Sequence, residues 1–246
     1  MKNDFASYFD GNGLLAPNPC PPGTIKGSGN GTMYISEYYI MLQKSGQLTA
    51  QDKLDYTQKI NSCIDPNGLL NRTPIGQNDG QEGPDNYYGV LNGCKQLGNT
   101  EIPRKFLKAV IKYKGALNNV NPGTWTFQSF LIRQPQLLAC MVASAFPNFK
   151  NPLHILVRML FLPFFVYSAI AIAVACMFQD ISNTDSRRLA WHLWQNMKGV
   201  SLLCRIVGKI WLRRLYKEYP NGMRDVASVY YKPSPLNPYS KYWITD

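Results

Sequence analysis

Four acidic residues near predicted helix starts are the side chains in this chain that could carry catalysis. Asp79, Glu82 and Asp85 fall in the stretch NDGQEGPDNYYGV, residues 78–90, and Asp185 begins a later predicted helix. Glycoside cleavage needs one carboxylic acid as proton donor and one carboxylate as base or nucleophile. We therefore predict Asp85 and Asp185 as an acid pair assisted by Asp79 or Glu82. Glu37 on the first predicted helix is a further candidate.

Four aromatic residues could stack on sugar rings; they are Tyr87, Tyr88, Trp125 and Trp191. The stretch 78–90 also has a structural explanation. Asp79 and Asp85 can cap a turn and the following helix, Glu82 can be solvated, and Tyr88 can begin the core face of that helix. The sequence leaves both explanations open.

Several other kinds of chemistry lack their sequence signatures. Only His154 and His192 are present, and the six cysteines form no CxxC pair, so the sequence predicts no metal site and no cofactor. P-loop, GxGxxG and GxSxG motifs are absent. A Cys–His nucleophile pair stays open. The scattered cysteines indicate a reducing compartment.

Charge is divided unevenly along the chain. Residues 1–100 carry a net charge of −2 and residues 101–246 carry +13. The basic half favours an anionic partner, either nucleic acid or anionic lipid. A long helix predicted over 184–219 contributes the cationic candidates Arg187, Arg188, Arg205, Lys209, Arg213 and Arg214. The alternative for this helix is a solvated face on a core helix.

Apolar periodicity predicts an all-α domain of helical hairpins over residues 33–219. Helices are expected at about 34–44, 49–63, 84–97 and 102–113, and over 127–146 with a kink or break at Pro135. Residues 1–32 are rich in Pro, Gly and Asn and predict an irregular arm. Residues 220–246 alternate prolines with aromatics and predict an extended strap.

The stretch from Met159 to Phe178 contains 20 residues and no charge. Its length suits a membrane-spanning helix. It equally suits a very apolar central helix that is buried all round by its neighbours. Both interpretations stay open at the level of sequence.

The motifs GLLNRTP, PDNYYGVL, NTDSRRLAW and RLYKEYPNGMRDV resemble a family of uncharacterised proteins encoded by tailed bacteriophages. The likeness runs from about Met33 to Trp243 and implies a phage origin. The order of helical hairpins is also similar to that of α/α-toroid glycosidases, at the level of fold.

Three functions follow as expectations. The first is a non-catalytic, virion-associated or infection-related binding protein that uses its basic C-terminal half against nucleic acid, anionic lipid or other virion proteins. The second is a glycan-cleaving enzyme with the Asp85 and Asp185 pair. The third is a phage membrane protein anchored by residues 159–178. The expected location is the host cytoplasm or the virion, with the membrane as the alternative.

Overall fold

The computed structural model describes residues 2–16, 19–24, 31–71, 73–74, 84–112, 135–148, 150–167, 170, 206 and 210. These residues form an all-α fold, in which the only β pairing among them is two isolated bridges. A 3-10 helix, Lys2–Tyr8, precedes six α-helices. They are α1 Gly31–Lys44, α2 Ala50–Ser62, α3 Pro84–Leu97, α4 Glu101–Lys112, α5 Pro135–Ala145 and α6 Pro152–Leu160.

Local signals fix the ends of α2 and α3. Thr49 is the N-cap of α2 and forms a capping box with Asp52, because each side chain accepts from the other residue's backbone N–H. α3 begins at Pro84, whose missing N–H costs nothing at a first helical position. Gly98 follows α3 with a φ of +77°, a conformation that glycine adopts without penalty. These predicted helix ends are confirmed.

α1 and α3 run parallel and pack closely against each other. Thr32 Oγ1 donates to Asn86 Oδ1 at 2.9 Å near their starts, and Ser36 meets Gly93 further along. α4 follows α3 after a short turn, and α5 runs in the direction opposite to α4. The opposite direction follows because Arg104, near the start of α4, donates to the carbonyl of Ala145, at the end of α5.

The N-terminal segment packs against these helices. Phe5 is fully buried and its ring centroid lies 5.2 Å from that of Tyr38 on α1. Lys59 on α2 donates to the carbonyl of Gly13 at 2.9 Å. The described residues of this segment therefore contribute to the same core as the helices.

The apolar run of residues 159–178 was predicted as one continuous helix, and its described residues differ from that prediction. Asn151 caps α6, the helix stops before Phe161, and residues 162–167 are helical again. Phe165 is buried, but Met159, Leu160, Leu162, Val166, Tyr167 and Ile170 are exposed. The first part of the run is thus not buried all round. Within the described residues, no helix is both long enough and apolar enough to cross a membrane.

Candidate functional site

A polar seam lies between α1, α2 and α3. The hydroxyl of Tyr56 donates to the Val90 carbonyl at 3.1 Å and lies 3.2 Å from Ser36 Oγ. Two glycines of α3 make this approach possible. A Cβ on Gly89 would come within 3.0 Å of the Met33 backbone, and one on Gly93 would meet the Tyr56 hydroxyl.

The nucleophilic groups of this seam are held in their neutral forms. Burial raises the pKa of Cys94 to about 12, so its thiol is not ionised near neutral pH. Burial also raises the pKa of Tyr56 well above its usual range. Every cysteine among the described residues is buried. His154 is instead a structural residue, since its Nδ1 accepts from the Asn148 backbone at 3.2 Å.

A second group of polar residues lies on α1 and α3. Glu37 on α1 is 1% exposed and Asn92 on α3 is fully buried. Neither the Nδ2 nor the Oδ1 atom of Asn92 has a hydrogen-bond partner. A buried amide without partners is costly, so it needs an explanation such as a ligand or an ordered water.

Asn92 shares one face of α3 with two predicted site residues. Positions 85, 88 and 92 are spaced by three and four residues, which places them on the same side of a helix. Asp85 is in the first turn of α3. Tyr88 is 7% exposed and belongs to the hydrophobic core, as in the packing explanation. Sugar stacking requires an accessible ring, which Tyr88 does not offer here.

The other predicted site residues lie outside the described part of the chain. They are Asp79, Glu82, Trp125, Asp185, Arg187, Arg188, Trp191, Arg205, Lys209, Arg213 and Arg214. Residues 206 and 210, on the predicted long helix, are helical and exposed. No cluster of His, Cys, Asp or Glu among the described residues could hold a metal ion.

The solvent-facing side of α4 is cationic and borders a cleft of about 390 Å³. Lys105, Lys108 and Lys112 line one wall of this cleft at helical spacing. The opposite wall includes Asn61 and the loop of residues 65–68. We call this feature the lysine cleft.

The loop in the lysine cleft is rigidly built. Asp65 Oδ1 accepts from the Leu69 backbone at 2.8 Å, and Gly68 N donates to the Asp65 carbonyl at 2.8 Å. Gly68 has a φ of +84° and leaves room for Ala109, which a Cβ on it would approach to 3.1 Å. The loop is therefore held against α4 by contacts that only glycine allows at this position.

One lysine of the cleft is already positioned by neighbouring groups. Lys105 Nζ donates to Asn61 Oδ1 at 2.9 Å and pairs with Glu101 Oε1 at 2.9 Å. This cleft was not predicted from the sequence. The signals for it were the spacing of the three lysines and the Asp-Pro-Asn-Gly turn, but only the fold brings the two together.

Comparison with protein-family models, curated proteins and solved structures finds nothing that matches this chain. The likeness to a bacteriophage family thus stays a prediction.

Proposed function

We propose that this is a non-catalytic, phage-encoded binding protein whose basic half contacts an anionic partner. The observation that carries the proposal is the lysine cleft, in which Lys105, Lys108 and Lys112 share one face of α4. Lysine ammonium groups at this spacing suit a row of phosphates. A virion-associated or infection-related role rests on the bacteriophage resemblance.

The charge around the cleft supports an anionic partner. Residues 102–179 contain eight Lys and Arg and no Asp or Glu. Such a segment gives a positive potential, which Glu101 at its edge and Asp65 in the opposite wall of the cleft reduce but do not cancel. A partner with several phosphates gains from each cation it meets, whether it is a nucleic acid or a lipid surface.

Charge removal tests this proposal. The double variant Lys108→Gln with Lys112→Gln should bind a DNA duplex, or vesicles containing phosphatidylglycerol, at least about fivefold more weakly than the wild type. Wild-type binding should also fall steeply between about 50 mM and about 200 mM salt. Lys53→Gln on α2 is the matched control, because Lys53 is exposed but lies in the acidic half.

Comparison of duplex binding with vesicle binding distinguishes the two classes of partner. Loss of duplex binding alone identifies nucleic acid, and loss of vesicle binding alone identifies lipid. If the wild type binds neither probe, or if Lys53→Gln weakens binding equally, the proposal is wrong.

A second candidate is a glycan-cleaving enzyme, favoured by the unpartnered amide of Asn92. We propose for it a toroid-like arrangement, in which α1, α3 and α5 form an inner layer and α2 and α4 an outer one. The parallel α1 and α3 and the opposite directions of α4 and α5 support this arrangement. It would bring the starts of the inner helices, and with them Asp85, to one end of the domain.

The enzyme proposal depends on Asp85 and Asp185. Asp85→Asn or Asp185→Asn should lower the release of reducing ends from bacterial cell-wall glycan by about a hundredfold or more. Asp55→Asn, on α2, should leave it intact. An experimentally determined separation of the two carboxyl groups beyond roughly 10 Å would exclude the acid pair.

A further inference from the structure

α6 has two very different sides. On its inner side, Arg158 Nε donates to the Phe146 carbonyl at 2.7 Å and Nη2 donates to the Ala143 carbonyl at 3.1 Å. These bonds fix α6 against the end of α5. The outer side is formed by large aliphatic residues that we call the aliphatic face: Leu153, Leu156, Met159, Leu160, Leu162 and Val166.

The aliphatic face is exposed despite its composition. Leu156 is 55% exposed, Met159 65% and Leu160 69%. Residues 153, 156 and 160 follow the spacing of one helix stripe, and Arg158 lies on the opposite side. Beyond the turn at Phe161, the described residues Leu162, Val166, Tyr167 and Ile170 are also exposed. A contiguous apolar surface of this kind marks an interaction site.

The composition of the face and its charged surroundings identify the occupant. Protein interfaces are usually anchored by Trp, Tyr and Arg, whereas the exposed apolar residues here are aliphatic, with Tyr167 at the far end as the exception. Lys150, directly before α6, is exposed, and along the sequence residues 102–179 carry eight cations and no acid, with Arg158 turned to the inner side. Aliphatic residues that enter the acyl boundary, combined with cations that meet acidic headgroups, form the usual pattern of a helix lying in a membrane interface.

We propose that α6 and the helical residues after it lie on an anionic bilayer, with the aliphatic face inserted at the level of the headgroups. This inference rests on the proposed binding function and names its partner. The basic half supplies the attraction to acidic headgroups, and the aliphatic face supplies the insertion.

Vesicle sedimentation of the full chain tests the proposal. The wild type should bind vesicles of phosphatidylglycerol and phosphatidylcholine and bind phosphatidylcholine alone more weakly. Leu156→Glu with Leu160→Glu should lower binding at least about tenfold. Leu54→Glu on α2 is the matched control, since Leu54 is 57% exposed and lies outside the face. Circular dichroism should show the same helix content in all variants.

The other outcomes overturn the proposal. Unchanged vesicle binding by Leu156→Glu with Leu160→Glu, while Lys108→Gln with Lys112→Gln weakens binding, would leave the proposed function standing and remove the inserted face. Binding to duplex DNA without binding to vesicles would likewise keep the proposed function and exclude insertion of the aliphatic face into a bilayer. A wild type that binds neither probe would remove both proposals.

Two further outcomes would assign the aliphatic face to another occupant. If the two glutamate substitutions dissociate a dimer and the wild type does not bind vesicles, the face contacts a second copy of the chain. Resistance of the bound protein to carbonate washing would favour a membrane anchor instead.

Discussion

Gly93 on α3 sets how closely this helix approaches α1. A Cβ there would meet the Tyr56 hydroxyl and come within 3.0 Å of Ser36 Cβ. Gly93→Ala gains about 1 kcal/mol in helix propensity. The overpacking and the disturbed bonds of Tyr56 cost about 3 kcal/mol. We expect a net loss of about 2 kcal/mol in the free energy of unfolding, measured by urea denaturation.

Gln96→Ala, one turn further along α3, is the control for this prediction and should change stability by less than about 0.5 kcal/mol. Equal stability of Gly93→Ala and the wild type would mean that α1 and α3 can separate slightly without cost.

Asp52 joins the start of α2 to the N-terminal segment. Burial raises the pKa of its carboxyl, but hydrogen bonds from Lys2 and from Thr49 outweigh this and hold the pKa below its usual value. A carboxyl whose pKa is lowered by folding stabilises the protein above the unfolded-state pKa, near 4. That contribution is lost as the pH falls through the folded-state pKa.

We therefore expect Asp52→Asn to lower the free energy of unfolding by about 1 kcal/mol at neutral pH, and the deficit to shrink below about pH 4. The difference between the two proteins is the quantity to measure, because burial raises the pKa of Asp10 and gives the whole protein an opposing pH dependence. Asp55→Asn, half-buried on the same helix and without a bond to the N-cap, is the control. A deficit that is constant with pH would contradict the assignment.

At the scale of elements, the sequence predicts helices best where local signals are strong. The capping box at Thr49 and the Pro84 to Gly98 frame of α3 required no knowledge of tertiary contacts. α1 begins at Gly31, earlier than the periodicity indicated, because Thr32 bonds to Asn86 across the helix pair. α6 was not predicted, although Asn151 and Pro152 are a typical helix start. The prediction placed a helix over the apolar run instead, which begins only at Met159.

Arg158 is the residue that fastens α6 to α5. Its guanidinium donates to carbonyls at the C-terminal end of α5, where a cation also complements the helix dipole. Arg158→Met keeps the apolar stem but removes these bonds, so we expect a loss of about 2 kcal/mol in unfolding free energy. α6 should also exchange its amide hydrogens faster. Lys150→Met, an exposed change before α6, is the control, and equal effects of the two would disprove this role.

At the scale of the whole molecule, the candidate site was less predictable than the helices. Glu37 was named from sequence, but its burial on α1 and the unpartnered amide of Asn92 on α3 depend on how the helices pack. The lysine cleft likewise joins residues 61–68 to α4, which are distant in sequence. Long-range packing of this kind leaves no periodic signal, so sequence patterns alone cannot find it.

The packing of the N-terminal segment was also not predictable from sequence patterns. Its Pro and Gly content predicted an irregular arm, whereas Phe5 is fully buried against Tyr38. If the segment is part of the folding unit, Phe5→Ala should lower the free energy of unfolding by about 3 kcal/mol in one cooperative transition. Asn3→Ala, exposed in the same 3-10 helix, should have little effect. A dispensable arm would instead leave the denaturation midpoint of Phe5→Ala unchanged, and the division of the chain at residue 32 would then stand. A lowered midpoint would place residues 2–16 inside the helical domain, because a side chain outside the cooperative unit cannot change its stability.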